Sequence, residues 1–446
     1  MPLTTIRLQN FKSFEDSGGI VLAPLTVIFG RNNTGKSSIL QSLLILRQTL
    51  DAPADVARLN LRGPAYAAGA YSDIVHMHQN RERVTFTLGV SAAGTNREGQ
   101  VELEFKSDEP QAPRLTRLAI SGAFARLEIS PGRGAGGPYE LTIDNDNLGN
   151  AKKANFRFTV NQFLPLIGDE LPHVGRPNWR RQKSRMAARQ LLDAVEDSLR
   201  STRAVGAFRR QPERRYEYQG RPPEAVDPVG QHVVDALVED SNRRRNRGHL
   251  LRSLNGWLEK VGRVKLMPIR AITRQSKIYE IRLKDTDSGR WANFADVGFG
   301  IGQALPVIVE GLRTPEGGTF LVQEPEIHLH PDAQLAMADF LIGLVHENRR
   351  VIVETHSENI LLRIRHKVAR HESGRPTSTE GLSADQVSIV HVSTTQDGAS
   401  HASRLHLDRL GQIKDWPAGF MDEATEERMQ IMEEIAKATE NRGVNV

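Results

Sequence analysis

The alternation of apolar and polar positions divides the chain into segments of different texture. Thr4–Leu8 alternates like a half-buried strand, GGIVLA predicts a second short strand, and Leu25–Phe29 is an unbroken apolar run of the kind a strand buried on both faces shows. Ser37–Leu50 then carries Ile39, Leu43, Leu44, Leu46 and Leu50 at helical spacing. Between residue 83 and about 160, VTFTLGV, QVELEFK, RLTRLAISG, ARLEIS and YELTID are short alternating runs parted by Gly, Pro and Asn, which predicts antiparallel hairpins. Residues 165–262 read as helical. Strands return at VKLMPI and IYEIRLKD, followed by a Gly-rich turn, a helix, and the apolar runs TFLVQ and VIV. LSADQVSIVHVS predicts a late strand and DEATEERMQIMEEIAKATE an acidic helix. The expectation is an α/β fold without sequence repeats or sustained heptads, so no long coiled coil emerges.

Composition narrows the setting. The 446 residues exceed one ordinary domain and suit two or three, or one domain with a large insertion. No apolar run approaches the ~20 residues of a membrane helix, and the opening MPLTTIRLQNFKSF lacks a signal peptide's apolar stretch. The chain has no cysteine, which excludes disulfides, thiolate metal sites and a cysteine nucleophile and fits the cytoplasm. Charge is uneven. Residues 176–252 hold 18 Lys or Arg against 10 Asp or Glu, a local net of +8 that exceeds the whole chain's +5. Arginine dominates there, which suits bidentate phosphate contact. Arg180, Arg181, Arg243, Arg244 and Arg245 are the nucleic-acid candidates; partner docking and a plain solvated face are the other readings of the segment. Aromatic residues are sparse there, so backbone contact is favoured over base stacking.

Four motifs carry chemistry. Gly30-Arg31-Asn32-Asn33-Thr34-Gly35-Lys36-Ser37 matches the phosphate-binding GxxxxGK[ST] pattern, and Ser38 follows it. It sits between the buried strand and the helix, where the loop's N–H groups and the helix N-terminus can face phosphates. Lys36 reaches the outer phosphates and the Ser37 hydroxyl serves Mg2+. In Thr319–Pro331, Glu324 follows an apolar strand as the carboxylate that polarises water, while Gln323 stands beside the metal as a neutral amide. His328 and His330 form an HxH pair that reads as loop structure. Behind the third apolar strand, Glu354-Thr355-His356-Ser357 offers His356 as a phosphate sensor and Ser357 as a helix N-cap. Asp296-Val-Gly-Phe299-Gly300-Ile301-Gly302-Gln303 opens another helix with three glycines and suggests a further phosphate contact.

In this order the motifs resemble the ABC-type ATPase heads of the SMC/RecF and overcoming-lysogenization-defect superfamily. IRLQNFKSF is similar to that family's first strand, GRNNTGKSS to its Walker A, FGIGQ to its signature, QEPEIHLHP to its Walker B and D-loop, and ETHS to its switch-histidine region. RxxPxRxY (Arg209 to Tyr216), DVGFGIGQALP, ETHSENILLR and WPAGFMDE resemble a prokaryotic AAA subgroup with a C-terminal domain of unknown function. The resemblance implies a P-loop ATPase head using ATP and Mg2+. It implies a homodimer in which Gly30–Ser38 of one copy and Phe299–Gln303 of the other sandwich ATP. Two positions depart from the family: Gly300 replaces a serine and Gln323 the Walker B aspartate. The implied division is a head at 1–80, a β-rich part of the head or insertion at 81–164, a basic helical insertion at 165–262, the rest of the head at 263–395 and a tail at 396–446. The expected activity is ATP hydrolysis switching a dimer that acts on DNA or RNA or controls an effector such as a nuclease, with antiphage defence as the setting. A slow ATP-dependent scaffold holding an effector is the alternative. The stretch after His356 is too short for the Toprim nuclease domain that related ATPases append, so cutting falls to a partner.

Overall fold

The run Leu25–Phe29 is a strand with all five residues buried, and it lies inside a six-stranded sheet. A computed structural model describes residues 3–52, 58–79, 82–91, 98–107, 113–122, 125–131, 139–144, 152–155, 160–161, 164–165, 179–218, 220, 227–242, 248–273, 277–374, 381–417 and 423–441. The sheet runs in the order Arg203–Val205, Thr319–Gln323, Arg350–Glu354, Leu25–Phe29, Val387–Thr394, Ser400–Leu405. Its first four pairings are parallel and the last is antiparallel. The inner strands are apolar throughout because both faces are covered. Leu25, Val27, Phe29, Phe320, Val322, Val351 and Val353 face a core built by helices Val233–Asn242, His249–Gly262, Phe299–Arg313, Pro331–His346 and Glu358–Glu372. The alternating Ile28, Leu321 and Ile352 face the opposite core, with helix Lys36–Asp51.

That opposite core is closed by a second sheet of nine strands, all antiparallel. Leu3–Phe11 pairs with Val84–Ser91, and the hairpins continue through Glu98–Lys106, Arg114–Gly122, Ala125–Pro131, Tyr139–Asp144 and Lys152–Asn155. The β-rich region is therefore continuous with the first strand of the head. Helix Trp179–Arg200 packs on the same core through Leu191, Leu192, Val195 and Leu199.

Two boundaries differ from the sequence expectation. Within residues 165–262, Arg203–Val205 is an edge strand of the central sheet, pairing in parallel with Phe320–Val322. Helices Val233–Asn242 and His249–Gly262 bury Leu237, Leu254 and Leu258 in the main core, so this segment is woven into the head. Three strand residues flanked by arginines leave no periodic signal, and their partner lies far away in sequence. Likewise Ser400–Leu405, read as tail, closes the sheet against Val387–Thr394. Among the described residues no helix is long and apolar enough to cross a membrane.

Candidate functional site

The glycine pattern of the first loop has a steric cause. A Cβ on Gly30 would stand 2.1 Å from the Val392 carbonyl oxygen, and one on Gly35 2.2 Å from Ser13 Oγ. Gly35 also takes the left-handed conformation, φ 91°, at the N-cap of helix Lys36–Asp51. Thr34 Oγ1 donates to the Arg31 carbonyl at 2.9 Å, and Lys36 Nζ donates to the same carbonyl at 2.7 Å. The lysine thus stays folded over its own loop, beside the positive end of the helix. Burial lowers the pKa of Lys36, opposed by the nearby carboxylates Glu354 and Glu324.

Parallel strands place the other groups at the same end of the sheet. Glu324 directly follows Thr319–Gln323 and adopts φ 44°, left-handed backbone that a glutamate rarely takes. It is held from both sides: its N–H donates to the Glu354 carbonyl at 2.7 Å, and its carbonyl accepts from Arg209 at 2.9 Å. His356 follows Arg350–Glu354, and its Nε2 lies 3.9 Å from Glu324 Oε1. Burial first, then the Lys36 charge, lowers the His356 pKa, with Glu354 opposing. Glu326, 8 % exposed, ties the two strand ends together by accepting from Thr355 Oγ1 at 2.6 Å and His356 N–H at 2.7 Å. Burial raises its pKa. Ser357 caps the next helix by accepting from the Ile360 N–H at 3.1 Å.

Ser37 and Gln323, expected on the metal side, both meet the buried carboxylate of Glu354. Ser37 Oγ donates to Glu354 Oε1 at 2.6 Å, and Gln323 Nε2 donates to Glu354 Oε2 at 2.7 Å. Sequence reasoning named Ser37 and Gln323 but gave no role to Glu354, an acid at a strand tip that only its register with Gln323 brings to this end of the sheet. Hydroxyl and carboxylate oxygens are the donors Mg2+ prefers. Among the described residues no group of three or more His, Cys, Asp or Glu is placed to hold a metal ion by itself. The loop, Lys36, Ser37 and Glu354 fit a Mg2+-nucleotide.

A family model described as "AAA domain, putative AbiEii toxin, Type IV TA system" matches residues 25–363, from the phosphate-loop strand to the helix behind His356. The chain belongs to this AAA-domain family. A second model, described as a protein of unknown function (DUF3696), matches residues 382–431. The matched residues contain the motifs whose order resembles the ABC-type ATPase heads of the SMC/RecF superfamily. A crystal structure of an Smc head bound to the C-winged helix domain of ScpA is similar at 12% identity and TM-score 0.46, covering 91% of this chain and 99% of that one. The SMC head domain from Thermotoga maritima is 12% identical with TM-score 0.41, covering 91% and 100%. A Pyrococcus furiosus Smc head with an extended coiled coil, bound to the C-terminal domain of ScpA, is 13% identical with TM-score 0.41, covering 98% and 99%. No curated protein matches the chain.

In this AAA-family chain the glycines around the start of helix Phe299–Arg313 have different surroundings. A Cβ on Gly300 would meet the His328 carbonyl oxygen at 2.5 Å, and one on Gly302 would meet Pro212 Cγ at 2.7 Å, whereas Gly298 faces open space. Close packing within the chain therefore accounts for Gly300 where the resemblance expects serine. Phe299 is exposed and rests edge-on against His328, centroids 4.6 Å apart. Gly300 and Ile301 are partly buried and Gly302 and Gln303 fully so, which leaves Phe299 as the exposed residue of the contact expected in trans.

Arg209, read only as part of a motif in a basic cluster, is 7 % exposed. Its guanidinium donates to the carbonyls of Gly206, Gln303, Gln323 and Glu324 at 3.0, 3.3, 2.6 and 2.9 Å, joining the signature helix to the acidic strand end. Burial pushes its pKa down to about 10. Other arginines of the basic segment also serve internal pairs: Arg200 with Glu196, Arg203 with Glu310, Arg210 with Glu213, and Arg214 with Asp296. Arg180 and Arg181 lie on helix Trp179–Arg200, their side chains outside the described set. Arg243, Arg244 and Arg245 lie outside the described residues.

Proposed function

We propose that this chain is a cytoplasmic ATP hydrolase whose head-to-head dimer closes on Mg2+-ATP and thereby acts on nucleic acid or controls a partner effector such as a nuclease, in antiphage defence. The convergence of Lys36, Glu324 and His356 at one end of adjacent parallel strands carries this reading, with Glu324 Oε1 3.9 Å from His356 Nε2. Lys36 neutralises phosphate charge as its Nζ leaves the Arg31 carbonyl. Glu324 accepts a proton from the attacking water, and His356 donates a hydrogen bond to the transferred phosphoryl group. Bound Mg2+ supplies charge neutralisation between the phosphates. The helix start at the exposed Phe299 meets the nucleotide of a second copy. The toxin named in the family's description and the cysteine-free composition support the setting.

Molar mass with and without Mg2+-ATP, alongside turnover with and without DNA or RNA, tests the proposal. A nucleotide-dependent dimer with turnover is expected, and Lys36→Ala should abolish both. Reversal of Arg243, Arg244 and Arg245 to Glu should lower the salt slope of duplex binding by roughly 0.9 per lost contact. Absence of wild-type nucleic-acid binding at low salt would leave the effector as the target. Binding of ATP without turnover under every condition would make the chain a scaffold.

A further inference from the structure

Glu354 is the buried acid whose role the ATPase reading leaves open. It is 3 % exposed, and each of its carboxylate oxygens faces a different motif. One accepts from the Ser37 hydroxyl at 2.6 Å and the other from the Gln323 amide at 2.7 Å. Gln323 and Glu354 are direct partners across two parallel strands. An acid at 354 therefore stands one strand spacing, about 4.8 Å, from an acid at 323. The amide orientation follows from the chemistry: an ionised carboxylate offers no proton, so Gln323 must present its N–H2. Gln323 is thus committed as a donor that orients its neighbour, and a neutral amide in that geometry supplies no charge to a cation. A carboxylate buried this far is costly without a positive partner. Lys36 is close enough to influence it electrostatically, yet Lys36 Nζ is hydrogen-bonded to the Arg31 carbonyl.

We propose that Glu354 supplies the negative charge that holds Mg2+ in this chain, in place of an acid at 323, with Gln323 positioning it. The inference rests on the reading of the loop as a Mg2+-ATP site. It accounts for the amide where an aspartate is expected and for the buried glutamate at the tip of the neighbouring strand as one exchange of charge between register partners.

The test uses the full chain, Mn2+ followed by paramagnetic resonance, and a non-hydrolysable ATP analogue whose binding is also measured in EDTA. Glu354→Gln should weaken Mn2+ binding in the analogue complex by on the order of ten- to a hundred-fold, while metal-free analogue binding stays unchanged. The exchange variant Gln323→Asp with Glu354→Gln returns an acid to the other strand and should recover most of the lost Mn2+ affinity. Unchanged Mn2+ affinity in Glu354→Gln, or a folded exchange variant that recovers none, would make Glu354 a structural acceptor for Ser37 and overturn the proposal. Should Glu354→Gln fail to fold, the exchange variant decides alone: wild-type-like Mn2+ binding supports the proposal and its absence overturns it. Failure of wild type to bind the analogue with or without metal is a different result, and it would remove the nucleotide reading itself.

Discussion

Gly300→Ser restores the residue expected at the signature position, and the structure predicts that it harms the protein. A Cβ there lies 2.5 Å from the His328 carbonyl oxygen and 3.3 Å from the carbonyl carbon. Reaching the 3.4 Å of ordinary contact requires the helix start and the His328 backbone to separate by about 0.9 Å. A backbone carbonyl cannot swing aside as a side-chain tip can, so the cost falls near the top of the ~1–3 kcal/mol range for overpacking. Alanine's better helix propensity returns at most ~1 kcal/mol. Gly300→Ala should therefore lose about 2 kcal/mol, and Gly300→Ser no less. Gly298→Ala, in open space at the helix N-cap, is the clash-free control and should lose only the modest cost of alanine at a cap. Gly302→Ala meets the Pro212 ring at 2.7 Å, a slightly longer approach that only ring pucker can relieve, and should fall between them. Urea unfolding of the three alanine variants, with ATP turnover of Gly300→Ser, gives the answer. Stability of Gly300→Ala equal to wild type, together with faster turnover of the serine variant, would refute the packing argument and show that the helix start leaves His328 in the working dimer.

Glu324→Gln should retain ATP binding yet lose turnover by on the order of a hundred- to ten-thousand-fold, and the ATP-bound dimer should accumulate in mass measurements. Because burial and Lys36 lower the His356 pKa, its imidazole is neutral at neutral pH. Its contribution to stability is present above the unfolded value near 6.5 and is lost as pH falls through the lower folded value. The acid limb of turnover set by this group should accordingly lie below pH 6.5, and NMR titration should show Lys36→Ala moving the His356 pKa upward. Arg209→Met removes the donor shared by the Gln303, Gln323 and Glu324 carbonyls. Turnover should fall on the order of a hundred-fold through misplacement of Glu324, with metal-free ATP affinity retained; equal kcat would make Arg209 a packing residue only.

Much of the frame was legible because its signals are local. The buried strand before the loop, the amphipathic helix Lys36–Asp51, the alternating hairpins from Val84 to Asp144 and the two apolar strands ending at Gln323 and Glu354 each declare themselves within a few residues. What was missed depends on distant partners. Arg203–Val205 is too short to show a period and becomes a strand only beside Phe320–Val322. Arg209 looks like one more cation in a basic run, and only the four carbonyls around it show why it is buried. Glu354 acquires meaning from its register with Gln323, which no single segment encodes. The three glycines of the signature looked alike but meet different surroundings, one open and two crowded.

The path from Arg203 to Arg209 also has a mechanical consequence. Its strand lies parallel to the strand that leads into Gln323 and Glu324, over three register pairs, and Arg209 then clamps the carbonyls at that strand's tip. A load applied along this strand meets its lateral hydrogen bonds in shear, all at once, instead of opening them one by one. Tension on the arginine-rich segment would thus arrive at Glu324 and at the first turn of helix Phe299–Arg313 together, making the sheet edge a rigid tether between whatever pulls on that segment and the acid proposed to take the water's proton.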